Sequence, residues 1–93
     1  FPGTRRDIAM LVADDTTHPA VLQSVRKAKP NNLESVELFD VYRGEGVEAG
    51  QKSVAYAFHY RSAEGTLKDK QVDAVHEKVI ERLRDDLSAT IRS

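Results

Sequence analysis

The sequence has no cysteine. That excludes a disulfide framework and any metal site built on thiolates, and it suits a cytoplasmic protein. No apolar run approaches the ~20 residues of a membrane-spanning helix, and no signal peptide is visible. An excess of positive charge is missing too, since the formal net charge is -1. A protein held to nucleic acid chiefly by charge would be basic. Any nucleic-acid contact must therefore be local and specific, or shared with other domains. Repeats, low-complexity segments and internal linkers are absent. The chain opens on Phe1-Pro2 without an initiator methionine, so a fragment of a longer protein is expected. What is present is ordinary for a globular protein: 93 residues, 40% hydrophobic and 31% charged. Those values fit a single domain over residues 1–93 with one core.

Catalytic groupings are also scarce. His18, His59 and His76 fall in a turn, on a strand and on a helix, with no metal-ligand neighbour at helical or short-loop spacing. His76 lies beside an apolar helix stripe and reads as a core-edge residue. Ser24, Ser35 and Ser53 lack a nucleophile-elbow motif. Gly44-Glu45-Gly46 is not a phosphate loop, because Lys52-Ser53 opens a strand rather than a helix behind it. It reads as a long hairpin connection.

Periodicity predicts six elements. Arg5 to Ala13 is a strand with Ile8, Met10 and Val12 on its core face. Pro19 suits the first position of a helix that carries Val21, Leu22, Val25 and Ala28 and stops at Pro30-Asn31-Asn32. Leu33 to Arg43 and Gln51 to Arg61 are strands. On the latter, Val54, Tyr56, Phe58 and Tyr60 share the core face. Asp69 is the expected N-cap of a second helix, whose stripe is Val72, Val75, Val79, Ile80, Leu83 and Leu87. Ala89 to Arg92 makes a short last strand. The second helix also has an acidic row at four-residue spacing, Asp69, Asp73, Glu77, Glu81 and Asp85. Lys70, Lys78 and Arg82 stand three residues before Asp73, Glu81 and Asp85, close enough to pair. This side should repel RNA.

The order β-α-β-β-α-β in about ninety residues predicts an α+β fold of the ferredoxin-like, split βαβ kind. Four antiparallel strands form the sheet, with the first and third central, and two helices cover one face. The other face is left open. By parity it gathers Arg5, Asp7, Ala9 and Leu11, then Asp40 and Tyr42, then Ser53, Ala55, Ala57 and His59, with Arg61 at the end of the row.

That face suits a single-stranded base. Tyr42 offers a stacking plane. An ionised Asp40 accepts through two oxygens in one plane, and the Watson–Crick edge of guanine presents two adjacent N–H donors. Small Ala9 and Ser53 leave room for the ring. Arg5, His59 and Arg61 are candidate phosphate contacts. The aromatic pair that an RNA-recognition motif keeps on its third strand is missing, with Ala55 and Ala57 in its place.

Phe1-Pro2, Arg5-Arg6-Asp7-Ile8-Ala9, Phe39-Asp40-Val41-Tyr42 with Gly44, Gly50-Gln51-Lys52-Ser53-Val54-Ala55-Tyr56 and Thr66-Leu67-Lys68-Asp69 occur in this order. Together they resemble the ferredoxin-fold anticodon-binding domain at the C-terminus of the bacterial phenylalanine–tRNA ligase β chain. The resemblance covers essentially the whole sequence. It implies a tRNA-binding module that holds the anticodon of the phenylalanine tRNA. The first anticodon base, G, would sit against Tyr42 and Asp40, with Ser53 and Ala9 completing the pocket. Lys68 departs from the Thr or Ser often found before the acidic helix start. The resemblance further implies a cytoplasmic parent ligase with two α and two β chains. That parent uses ATP and magnesium, and its ATP and phenylalanine site lies in the α chain. No cofactor and no catalytic activity are expected in this fragment.

Two rivals share the fold. One is a small-molecule-sensing domain that pairs across a dimer. The other is an acylphosphatase-type enzyme, which needs a phosphate-cradling loop after the first strand. Asp14-Asp15 occupies that turn, and two carboxylates there would repel an acyl phosphate.

Overall fold

The computed structural model describes residues 1–92. The elements are β1 (Thr4–Ala13), α1 (His18–Lys27), β2 (Leu33–Tyr42), β3 (Gln51–Tyr60), α2 (Asp69–Leu87) and β4 (Thr90–Ile91). One antiparallel sheet has the order β2-β3-β1-β4. The first and third strands are central, as the sequence predicts. Strand ends differ from expectation by a residue or so, which is where end fraying places them.

The alternating apolar residues of β1 and β3 turn toward the helices. Ile8, Met10, Val12, Val54, Tyr56, Phe58 and Tyr60 are buried against Val21 and Val25 of α1 and Val72, Val79 and Leu83 of α2. Burying each such side chain stabilises the fold by roughly 1.5–3 kcal/mol. The tyrosines carry hydroxyls into this core, and each finds a histidine. Tyr60 Oη lies 2.8 Å from His76 Nδ1, and Tyr56 Oη lies 2.9 Å from His18 Nδ1. The His18 ring also stacks on Tyr56, and His76 meets Phe58 edge-on. Burial pushes both phenols up to about 12. It lowers the His76 pKa, with the nearby Arg6 charge acting in the same direction. A buried phenol needs a partner, and these contacts give His76 a structural role inside the core.

Helix ends bring two corrections. Thr17 caps α1 by accepting from Ala20 N at 3.2 Å, and Pro19 is the second helical residue rather than the first. The cap residue of α2 is Lys68, not Asp69. Gln71 reaches back to accept from Lys68 N at 2.9 Å, so the orphan N–H is met from inside the helix. Asp69 becomes the first helical residue, where its charge favours the positive end of the helix dipole.

The acidic row pairs differently from the sequence expectation. Arg6 reaches from the helix-facing side of β1 to Asp73 at 3.2 Å and Asp69 at 3.5 Å. Arg82 pairs with Asp86, one turn on, and not with Asp85. Among the described residues neither Lys70 nor Lys78 is in an ion pair. Asp86 also accepts from Ser24 of α1 at 2.9 Å. Burial acts to raise the Asp86 pKa, but the Ser24 and Arg82 hydrogen bonds hold it below the usual carboxylate range.

The decisive irregularity lies in β2. Val36 and Leu38 pair with Phe58 and Tyr56 and face the core, while Asp40 pairs with Ala55 and Tyr42 with Ser53. Strict alternation would put Leu38 and Asp40 on one face. A register shift between Leu38 and Asp40 inserts Phe39 as a β-bulge, so the strand changes parity there. Leu38 stays in the core and Asp40 is delivered to the open face.

Candidate nucleic-acid interface

The bulge and the hairpin after it build the site. Downstream of Phe39, Asp40 and Tyr42 project from edge strand β2 on the face that the helices leave uncovered. Register sets their neighbours. One row across the sheet reads Asp40, Ala55, Ala9, and the next reads Tyr42, Ser53, Leu11. Strands lie about 4.8 Å apart, so Asp40 and Ala9 flank a shelf about 10 Å wide. Its floor is Ala55 and Ser53, two small side chains. All four sequence-predicted pocket residues, Tyr42, Asp40, Ser53 and Ala9, thus share one patch of one face. Ala55 belongs to it as well. Its parity already put it on this face, and its small size makes it floor rather than wall.

Tyr42 is held from behind. Its hydroxyl donates to the Glu45 carbonyl at 2.9 Å. Gly44 lies against the ring: a Cβ there would meet Tyr42 Oη at 3.2 Å and Cζ at 3.5 Å. Gly44 has φ +135, a conformation that side chains disfavour. The hairpin loop is tied down in turn. Arg43 pairs with Asp14 of the β1–α1 turn, and Asp14 N donates to the Gly50 carbonyl at 2.8 Å. The Arg43 hydrogen bond is the main lowering influence on the Asp14 pKa, against the upward effect of its desolvation. The Asp14-Asp15 turn, read in the sequence as repelling an acyl phosphate, therefore also anchors the loop. Tyr42 remains 45% exposed, so a fixed ring still shows a face to solvent.

Asp40 contrasts with its neighbours. Asp7 is bound by Arg5 at 2.7 Å, and Glu34 is bound by Arg61 at 3.0 Å. Among the described residues Asp40 accepts from no protein group. An exposed carboxylate beside a fixed aromatic ring, above a floor of small residues, can bind a flat ligand with paired N–H donors.

Arg5, His59 and Arg61 gather at the far end of the face. Arg5 and His59 are register partners, and with Gly3, Glu34 and Arg61 they line a depression of about 340 Å³. His59 lies four residues along β3 from Ala55, about 13 Å away. Both arginines are already engaged, Arg5 with Asp7 and Arg61 with Glu34 and the Phe1 carbonyl. Ala57, assigned to the open face, is on it but only 2% exposed, because Asp7 and Glu37 flank it in register. Phe39 was missed as a surface group. It follows core-facing Leu38 on the open face, is 47% exposed, and has the Arg5 guanidinium over its ring at 5.3 Å.

Among the described residues no group of three or more His, Asp or Glu is placed to hold a metal ion. Among the described residues no helix is long and apolar enough to cross a membrane.

Residues 1–92 match the family described as ferredoxin-fold anticodon binding domain. Similar proteins include the phenylalanine–tRNA ligase β subunits of Lactiplantibacillus plantarum, 45% identical over 99% of this chain, and of Geobacter sulfurreducens, 44% identical over 99%. That of Nitrosospira multiformis is 42% identical over the whole chain. The chain spans 11–12% of the length of these relatives. With this sheet topology, this site and a family match from end to end, the chain belongs to the ferredoxin-fold anticodon-binding domains of the kind found in phenylalanine–tRNA ligase β subunits.

Proposed function

We propose that residues 1–93 form one domain of a longer ligase β chain and hold the first anticodon base, G, of the phenylalanine tRNA on the open sheet face. The guanine ring stacks on Tyr42. Its N1–H and exocyclic amine donate to the two Asp40 oxygens. Ser53, Ala9 and Ala55 leave room for the ring, and the loop bond from Tyr42 to Glu45 fixes the stacking plane before RNA arrives. The observation that carries this reading is the unpartnered Asp40 carboxylate beside a tyrosine held by its own hairpin. A stacking plane fixed in advance costs little to use, because the ring does not reorganise on binding, and a carboxylate with no protein partner gives up no internal bond to accept from a ligand. Arg5, His59 and Arg61 steer phosphates nearby. The engagement of Arg5 with Asp7 and of Arg61 with Glu34 keeps the electrostatic part of binding small, in line with the net charge of -1. The parent enzyme joins this β chain to a catalytic α chain in an α2β2 assembly of the cytoplasm. It takes ATP and magnesium in the α chain, and the domain itself catalyses nothing.

Asp40→Asn tests the assignment. Asn keeps the shape but offers one acceptor and one NH2, so a donor meets a donor. In the full ligase, charging of a transcript with G at the first anticodon position should weaken by about 1–3 kcal/mol, the size of a bidentate base contact. A transcript with A there should be affected far less. Loss of both activities by one common factor would show that Asp40 does not read the base.

A further inference from the structure

Two aromatic rings stand exposed on the open face, and the base-binding reading uses only one of them. Phe39 is 47% exposed and Tyr42 45%. Both project from edge strand β2, with Asp40 between them. Counted from core-facing Leu38, alternation places Phe39 on the open face, and the bulge then turns Asp40 to the same side instead of back to the core. A solvated Phe at this place forgoes the stabilisation of burial.

Arg5 supplies the second half of the arrangement. It crosses from central strand β1 and lays its guanidinium over the Phe39 ring at 5.3 Å. Asp7 holds that guanidinium at 2.7 and 3.4 Å. The result is a fixed pair of planes, one apolar and one cationic. The depression formed by Arg5, His59 and Arg61 lies on the same side. Each arginine here is paired with a carboxylate, Arg5 with Asp7 and Arg61 with Glu34, so this margin offers guanidinium N–H donors and planes rather than net positive charge.

We propose that Phe39 and Arg5 form a second nucleotide subsite, which takes a base adjacent to the one held by Asp40 and Tyr42. The inference rests on that first assignment. Phe39 and Tyr42 are separated by two to three residue steps of strand, about 7–10 Å. The step between stacked bases on one strand is about 3.4 Å. Two neighbouring bases can therefore lie on these rings only when splayed apart, the state in which single-stranded RNA is read on sheet faces. Phe39 contributes apolar stacking, which every base satisfies. Arg5, with Asp7 holding Nε and one terminal nitrogen, turns its remaining N–H donors toward the connecting phosphate. Sequence preference would remain with Asp40, and the second subsite would add affinity and orientation.

The test is an NMR titration of the 13C,15N-labelled 93-residue chain, which encloses its own core. The probes are a stem–loop RNA with the anticodon-arm sequence of phenylalanine tRNA, and two versions abasic at either neighbour of the first anticodon base. With the native RNA, the Phe39 ring and the Arg5 Nε resonance should shift in step with the Tyr42 and Ser53 amides. One abasic RNA should lose the Phe39 and Arg5 shifts, keep those of Tyr42 and Ser53, and bind roughly 5- to 100-fold more weakly. Phe39→Leu should weaken the native RNA by a similar factor and the abasic RNA hardly at all. Shifts confined to Tyr42, Asp40 and Ser53, with both abasic RNAs binding like the native one, would overturn the second subsite and leave the first intact. Shifts nowhere on the face would overturn both. The abasic arms use the unaltered protein, so the outcome does not depend on the variant folding.

Discussion

Gly44→Ala probes whether the hairpin loop fixes the stacking ring. Gly44 has φ +135 and Gly46 has φ +88, so alanine is strained at either position, on the order of 1–3 kcal/mol. Only one of the two touches the ring. A Cβ at Gly44 would lie 3.2 Å from Tyr42 Oη, whereas one at Gly46 meets nothing within 4 Å. Relieving that contact moves the hydroxyl by a few tenths of an ångström and weakens its bond to the Glu45 carbonyl. A hydrogen bond of this kind is worth about 0.5–1.5 kcal/mol net, so Gly44→Ala should cost that much beyond its backbone strain. Tyr42→Phe removes both the clash and the bond. On that background the added cost of Gly44→Ala should vanish, leaving strain alone, while Gly46→Ala should cost the same on either background to within about 0.3–0.5 kcal/mol. The comparison between backgrounds cancels any difference in strain between the two glycines. Urea unfolding followed by circular dichroism gives the six stabilities, and titration with the anticodon stem–loop gives the functional counterpart. Gly44→Ala should weaken RNA binding and Gly46→Ala should leave it unchanged. If the cost of Gly44→Ala is the same with Tyr42 and with Phe at that position, the loop does not hold the ring through its hydroxyl, and the preorganisation argument fails.

Two further outcomes follow from the core and the helix ends. Burial and Arg6 lower the folded-state pKa of His76, so both states hold it neutral above the unfolded value of about 6.5. Below that value the unfolded chain binds the proton first, and stability should fall as pH drops toward the folded pKa. Urea midpoints between pH 7.5 and 5.5 should therefore decline more steeply for the wild type than for His76→Gln, and equal slopes would show that His76 does not contribute. Ser88, the C-cap of α2, has φ 53 and ψ 33, a left-handed conformation that glycine adopts without a Cβ penalty. Ser88→Gly should raise stability by about 0.5–1 kcal/mol, and a fall in the unfolding midpoint would mean that its side chain matters more than its backbone.

Much of the molecule was legible because its periods are clean. The apolar alternation of β1 and β3 and the 3.6-residue stripe of α2 each allow one orientation, since reversing any of them would expose a whole apolar set. Element order then left one compact arrangement, with the first and third strands central. That Asp40, Tyr42, Ser53 and Ala9 share one face was also readable, through the Phe39-Asp40-Val41-Tyr42 and Gly50-Gln51-Lys52-Ser53 segments. Capping was less legible. Gln71 reaches Lys68 N, so a side chain within the helix took the role expected of Asp69.

The sequence alone determined the fold, the membership of the family and which candidate residues share the open face, because these depend on pattern and residue type along the chain. Tertiary structure alone decided which groups are free to act. Asp7 and Asp40 are the same residue on the same face, yet Arg5 binds one and leaves the other open. The parity change at Phe39 is likewise invisible in β2 by itself: it appears only when Leu38 and Asp40 are registered against Tyr56 and Ala55 of β3. Pattern fixes which side chains prefer burial. Where a strand must slip by one residue, and which charges meet across strands, is set by long-range pairing between segments that no local window contains.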